Sequence, residues 1–474
     1  MGFNKFMDRV GNVLLDLTSD DVTPNDVLNG KLFHDRTGKQ QVGTLKLSQS
    51  KNEIESDKVN FIDYDGTLIA SYTIQEAKQL NALPDLPSHT NENITPAGWT
   101  ETLDKIKNTN QGMLVGAMYN TIDGCSYLYV NMKSSSYLAP TLRLYNSGAG
   151  TISVDWGDGS SLSTSSTSGA ITFTHTYSSI GEYVIKISST AKYYFNTSSS
   201  NYLFGSQQYN SYIEKIRLSN KVDRIYSYNF YHCRALESIT LPYGITNFST
   251  YAFEYCYALK TVVIPYGVSA TGSSAFEMCY GLENVVIPSS VTTLTSNTFQ
   301  KCYSLEKVFI PSSVTTIQAN ALNYCYGLKE VIGGINSSLT GTYVFGNSFK
   351  LKSISVQSET IQSYTFSNDY ELEHVNLLEG VKTIGQGAFT SCFMLKNIAI
   401  PSTVTAIQPN AFQACSSLKE IDLTALETPP ALTNKIFTDG YEPTLKISSD
   451  IINQFKADTY WNAYSKHMVA VDVI

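Results

Sequence analysis

Leu282-Glu-Asn-Val285-Val286-Ile287-Pro288-Ser-Ser-Val291-Thr-Thr-Leu294-Thr-Ser-Asn-Thr298-Phe299-Gln-Lys-Cys302-Tyr303-Ser304 runs without a break into Leu305-Glu-Lys-Val308-Phe309-Ile310-Pro311-Ser-Ser-Val314-Thr-Thr-Ile317-Gln-Ala-Asn-Ala321-Leu322-Asn-Tyr-Cys325-Tyr326-Gly327. These are two copies of one 23-residue unit, and the spacing extends outward from them. Cys233, Cys256, Cys279, Cys302 and Cys325 fall 23 residues apart, as do Cys392 and Cys415. Leu236, Leu259, Leu282, Leu305, Leu328 and Leu351 keep the same interval; after one step of 21, Leu372, Leu395 and Leu418 resume it. A fixed period of this size means stacked supersecondary units. Such a stack offers a side surface for holding a partner rather than a deep cleft for reacting one.

Within the unit, Leu, Val and Ile at positions 1, 4 and 6 form a short strand. Proline at position 7 (Pro242, Pro265, Pro288, Pro311, Pro401) ends it, because proline has no N–H for a central ladder. Val and Ile at positions 10 and 13 suggest a second strand, and Ala-Phe and Cys point inward from the return segment. One unit cannot bury these groups; nine stacked at about 4.8 Å make a rod or arc on the order of 40–45 Å long. Stacked cysteines invite a disulfide or metal reading, but no Cys-x-x-Cys occurs and each follows a buried aromatic position. They read as inert core thiols. Units 328–350 and 351–371 lack both the proline and the cysteine, and a bend or weak point is expected there.

Two stripes are candidate partner-binding surfaces. The residue after the cysteine is Tyr257, Tyr280, Tyr303, Tyr326 and later Phe393. Position 5 of the strand, which points outward, is Val263, Val286, Phe309 and Ile332 in consecutive units, against Thr240, Ser355, Asn376 and Asp422 elsewhere. Four adjacent outward apolar groups form a patch. Strand propensity alone, or packing on another part of this chain, also accounts for them. Uncharged Tyr, Asn and Ser faces suit glycans, with the Tyr257–Tyr326 rings stacking on sugar faces and amides bonding hydroxyls.

The totals narrow the class. Of 474 residues, 42% are hydrophobic, only 16% are charged, and 32 are tyrosine. This is the profile of a β-rich chain with polar, uncharged faces. A formal charge of −8 argues against nucleic acid or an anionic membrane as partner. No apolar run of 18 residues predicts a membrane span. Met1-Gly2-Phe3-Asn4-Lys5 through Arg9 carries charges where a signal peptide needs its apolar core, so synthesis in the cytoplasm with reduced cysteines is expected. The six histidines are scattered, and no catalytic constellation or cofactor or metal site is expected.

In the middle, 151–187 reads Val154-Asp155-Trp156-Gly-Asp158-Gly159, a Ser/Thr-rich hairpin, Thr174-His175-Thr-Tyr177 and Gly181-Glu-Tyr183-Val, which predicts alternating strands of a β-sandwich beginning near Gly112, with strands at 113–119 and 127–132. Upstream, Asp63-Tyr64-Asp65-Gly66-Thr67 follows an apolar run and matches the Asp-x-Asp-Gly-Thr motif of haloacid-dehalogenase-type phosphatases. Too little chain follows it for a doubly wound domain, and Asp-Gly is an ordinary hairpin turn. At the front, Val10, Val13, Leu14 and Leu17 fit one face of a helix over 8–20; Thr23-Pro24 to Gly30 fits a second helix, and the rest a hairpin turning at Thr37-Gly38.

Four resemblances follow from these residues. The Leu-x-x-Val-x-Ile-Pro-Ser-Ser-Val-Thr-x-Ile pattern resembles the BspA-type leucine-rich repeat of bacterial surface antigens and phage tail proteins, over about 213–474, with Leu445-Lys-Ile through Trp461 and Tyr464 resembling its closing cap. The 151–187 motif resembles the polycystic-kidney-disease (PKD) domain, an immunoglobulin-like module in which Asp155 and Asp158 brace a turn, calcium binding being the alternative. Residues 59–106 resemble a small module of tail proteins of phages of Gram-positive bacteria. Thr23-Pro-x-Asp-Val-Leu-x-Gly-Lys-x-Phe-x-Asp35 resembles an element at the front of tail and fibre proteins.

Together the resemblances imply a mainly β chain: an N-terminal attachment segment (1–46), a linker module (47–111), a PKD-like sandwich (112–190), a leucine-rich-repeat solenoid (191–425) and a cap (426–474). They imply a virion tail component bound to other virion proteins through residues 1–46 and to a host receptor or glycan through the repeats, compatible with a homo-oligomer. The alternatives are a BspA-type bacterial cell-surface adhesin and a virion decoration protein without a receptor.

Overall fold

The computed structural model describes residues 54–474, except 201, 207–209, 334, 336–337, 438–441 and 473–474, together with four short strands within the first 53 residues. The chain divides into two compact units, 1–54 and 55–474. In the first, Lys5–Met7 pairs antiparallel with Val13–Asp16, and Leu32–His34 with Gln40–Val42. The helix expected over 8–20 is therefore corrected at 13–16, which is strand. A short apolar run satisfies either period. The second pairing is the hairpin expected around Thr37-Gly38. The helix expected at 23–30 lies outside the described residues.

The second unit opens with a four-stranded sheet in the order Leu68–Thr73, Lys58–Ile62, Met113–Thr121, Ile94–Trp99. Val59, Phe61, Val115, Ala117 and Tyr119 form its core with Trp99. A capping box between Thr73 and Glu76 starts the helix Ile74–Lys78. Strand 113–121 was expected in the sandwich. It instead lies inside this sheet, parallel to 58–62 and antiparallel to 94–99. Its residues are buried on both faces, as a central strand requires.

Two facing sheets follow. One orders Gly169–Thr174, Thr141–Asn146 and Tyr193–Phe195; the other orders Ser163–Ser165, Ile152–Asp155, Gly181–Ser189, Ser126–Met132, Ile213–Arg217 and Ser238–Thr240. Leu142, Leu144, Phe173 and Phe195 from the first meet Leu128, Val130, Val154, Ile185 and Ile187 from the second in one core. The larger sheet does not stop at the end of this module. Strand 126–132 pairs antiparallel with 213–217, which pairs parallel with 238–240, the next coil of the repeat region. The first edge of the solenoid is thereby covered by a hydrogen-bonded neighbour.

Beyond it the repeats form two columns of parallel strands whose register is the sequence period. Thr261 pairs with Asn284, Lys307 with Glu330 and Asn397 with Glu420 in one column, and Thr293 with Thr316 and Thr383 with Ala406 in the other. The 21-residue step reappears as Ser353 against His374. The second strand is only two residues long, and in the coils that carry the proline at position 7 a turn precedes it. The Val291, Val314 and Val404 N–H groups donate to the Pro288, Pro311 and Pro401 carbonyls at 3.0–3.1 Å. Inside, Phe230, Phe253, Phe276 and Phe299 stack at 5.0–5.6 Å. Every cysteine of the series is buried, and from Cys256 onward each thiol donates to the carbonyl of the phenylalanine 26 residues earlier at 3.0–3.3 Å. Burial pushes the Cys325 thiol up to about 12, so these groups are unreactive thiols. The far end is closed by Thr444–Ser448, the helix Ile452–Ala457 and strand Met468–Val471. Trp461 is wholly buried there, its indole N–H donating to the Pro430 carbonyl at 2.8 Å.

Candidate partner-binding surfaces

The residues after the cysteines form a continuous column of rings. Tyr257, Tyr280, Tyr303, Tyr326, Phe349, Tyr370 and Phe393 stack successively with centroids 4.6–5.0 Å apart and planes within 13°. The Arg234 guanidinium lies over the Tyr257 ring at 5.3 Å and begins the column. Phe349 and Tyr370 were not foreseen, although a step of 23 and then 21 from Tyr326 reaches both. The missing cysteines had hidden the frame. The geometry corrects the stacking of sugars on the Tyr257–Tyr326 rings, because each interior face is already covered by the next ring. Only the edges are half-exposed. Phe393 differs: it is 41% exposed, and the next unit places Ser416 rather than a ring at this position.

The column also carries load within the rod. Tyr280→Ala removes two stacks, each worth about 0.5–1.5 kcal/mol beyond area burial. The variant is expected to lose about 2–3 kcal/mol in chemical denaturation.

The apolar stripe lies beneath another part of the chain. Val263, Val286 and Phe309 are buried, and Ile332 is half-buried at the margin. The four-stranded module covers them. A Cβ on Gly116 would stand 2.6 Å from Val263 Cγ1 and 3.0 Å from Val286 Cγ2, so only glycine permits this approach. Around the contact, the Glu101 carboxylate accepts from the Ser289 hydroxyl at 2.8 Å and from its N–H. The Gln111 amide donates to the Ile310 carbonyl at 3.2 Å. At the near end, buried Arg217 donates to Glu92 and to the Ser238 hydroxyl, and packs over the Tyr64 ring at 4.7 Å. Burial opposes the Glu92 charge, but hydrogen bonds from Tyr64 and Arg217 outweigh it and hold the carboxyl below its usual range. The stripe is thus an intrachain interface, and Val263, Val286 and Phe309 are not open to a partner.

The family model for the BspA type leucine rich repeat region, in six copies, matches residues 200–329 and 338–453, more than half of the chain. The chain belongs to the BspA-type leucine-rich-repeat family. Solved structures with a similar fold include a leucine-rich repeat protein from Bacteroides ovatus (23% identity over 54% of this chain and 77% of that one, TM-score 0.33). Others are a leucine rich cell surface protein from Faecalibacterium prausnitzii (19%, 54% and 84%, TM-score 0.31) and the pneumococcal vaccine antigen PcpA (15%, 59% and 83%, TM-score 0.34). No curated protein matches.

In this BspA-type protein the Asp63–Thr67 motif is a hairpin turn. The Asp63 N–H donates to the Thr67 carbonyl at 2.8 Å, the Gly66 N–H to the Asp63 carbonyl at 3.0 Å, and Gly66 has φ +90°. The strand Leu68–Thr73 follows it, antiparallel to Lys58–Ile62. The buried Asp63 carboxylate is engaged by His89 Nε2 at 2.6 Å. Asp155 and Asp158 brace their turn, accepting from the Gly157 and Ser160 N–H groups at 2.9 and 3.1 Å, and Asp158 also meets His175 Nε2 at 2.8 Å. Among the described residues no group of three or more His, Cys, Asp or Glu is placed to share a metal ion.

Strand pairing in the first column is interrupted at several coils, between Asn284–Val286 and Lys307–Phe309 among others, and also after Ile332, where the sequence departs from its pattern. Glu330–Ile332 pairs with Lys307–Phe309, and Ser353–Val356 pairs with His374–Leu377, but these two pairs do not join. Ile335 bridges Val356 instead. Gly333, at φ +101°, takes the place of the isoleucine at position 6 that follows the strand in the regular coils. Ser348 and Asp369 take the place of cysteine. The Asp369 carboxyl is wholly buried; one oxygen accepts from the Ser348 N–H at 2.7 Å, and the other has no partner.

Proposed function

We propose that this protein is an adhesive surface protein that holds a partner on the side of its solenoid and performs no reaction. The observation that carries the reading is that both ends of the solenoid are closed within the chain, so its lateral face is the broad surface left to meet a partner. Part of that face is taken by the chain's own module, and the strands from Ser353 onward present Ser, His and Asn side chains to solvent.

In its narrower form the proposal places the protein on a phage tail. Residues 1–46 attach to other virion proteins, the PKD-like, immunoglobulin-like region (112–190) is displayed together with the repeats, and the repeats contact the host receptor or a host glycan. The front motif and the 59–106 pattern support this. A second reading, a bacterial cell-surface adhesin, is favoured by the membership in a family of surface antigens.

Immunogold labelling against the repeats, on purified particles and on cells, separates the two. Gold is expected on tails; gold confined to cells moves the chain to the second reading. Purified protein is expected to reduce particle adsorption, and undiminished adsorption at saturating protein overturns the host-binding role.

A further inference from the structure

Where the strand column breaks, the outer face carries a groove of about 310 Å³. Val331 stands on one side; Ser353, Ser355, His374, Asn376 and Asn397 stand on the other. The groove lies at one of the interruptions of strand pairing in this column. Glu330–Ile332 and Ser353–Val356 are not paired strand to strand; Gly333, at φ +101°, turns the chain between them and Ile335 bridges Val356.

The chemistry of the lining is distinctive. On the covered part of this face, position 5 carries Val263, Val286 and Phe309, and the module occupies it. Past the break, the outward positions turn to hydroxyl, carboxamide and imidazole. Ser353, His374, Asn376 and Asn397 are exposed, and the Asn376 amide reaches the Ser355 hydroxyl at only 3.5 Å, a weak contact that a better acceptor would replace. No Lys, Arg, Asp or Glu lines the groove. Carboxamides and hydroxyls both donate and accept, and parallel strands repeat them about every 4.8 Å. A chain of hydroxyl pairs satisfies such a row. A charged ligand would find no counter-ion, and an apolar one would strand the amides.

We propose that this groove binds a neutral polysaccharide, with Asn376 and Asn397 bonding sugar hydroxyls and Val331 providing the apolar wall. The proposal rests on the adhesive reading and moves the glycan contact from the tyrosine column to this face. The test is affinity electrophoresis of the full chain through gels containing neutral polymers (dextran, mannan, mixed-linkage glucan, galactan) or charged ones (heparin, polygalacturonate). Retardation by at least one neutral polymer and by neither charged one is expected. The Asn376→Ala/Asn397→Ala variant, whose side chains are exposed and which should melt with the parent, should bind about tenfold more weakly or worse. Equal retardation of the variant, retardation by charged polymers alone, or none by any neutral polymer overturns the groove. A chain that still blocks particle adsorption while failing these gels sinks the groove but spares the adhesive reading. One that does neither sinks both.

Discussion

Val286→Asp is expected to lift the 58–121 module off the solenoid while leaving the repeats folded. Val286 points outward from its strand yet is wholly covered, and the cover is strand 113–121 with Gly116 at the closest approach. A carboxylate there would be buried without a partner unless the module moves away. The loss is expected to be on the order of 4 kcal/mol, enough to open the interface locally. Because the side chain faces away from the Phe and Cys columns, the solenoid core keeps its packing. Hydrogen exchange should accelerate in 58–62 and 113–121 while 353–422 stays protected. Unchanged protection of 113–121 would mean that the module is held by the Arg217–Glu92 and Glu101–Ser289 contacts rather than by the apolar stripe.

Asp369→Asn should stabilise the protein at neutral pH and flatten its response to acid. Burial holds the Asp369 carboxyl well above its ordinary range, against the lowering effect of the Ser348 N–H. The folded state therefore retains a proton that the unfolded chain releases above a pH of about 4. Its contribution is fully present below that pH and is lost as pH rises toward the folded value, by about 1.4 kcal/mol per pH unit. Asparagine keeps the acceptor for the Ser348 N–H and abolishes the titration. Denaturation midpoints from pH 4 to 7 are the measurement. The gap between variant and parent should widen with pH; a constant gap would show that the folded carboxyl ionises as readily as in the unfolded chain and is not held protonated by burial. Glu254, pushed up to about 7 by burial, acts in the same direction in both proteins and cancels in the comparison.

The period of the repeats could be read directly, because each coil repeats one burial problem and the same residue types recur at the same positions. Register, the proline turn and the inert thiols follow from that. The aromatic column was legible in part. Tyr257 to Tyr326 and Phe393 were visible, whereas Phe349 and Tyr370 sat behind Ser348 and Asp369, which broke the cysteine frame. The covering of Val263, Val286 and Phe309 was not legible. An outward apolar stripe has the same appearance in sequence whether a partner or the chain itself covers it, and the decisive contact, Gly116, is a single residue far upstream. Strand 113–121 was misplaced for a related reason: alternation identifies a strand but not its sheet.

The contact between Gly116 and Val263 also sets an order of events during synthesis. The ribosome must add about 150 further residues before the stripe exists, which at 5–20 residues per second takes on the order of ten seconds or more. Throughout that interval the underside of strand 113–121 waits uncovered, an adhesive patch on a nascent chain. Growth of the repeats then covers it coil by coil, so the early module becomes fully native only once the later half of the molecule has been made.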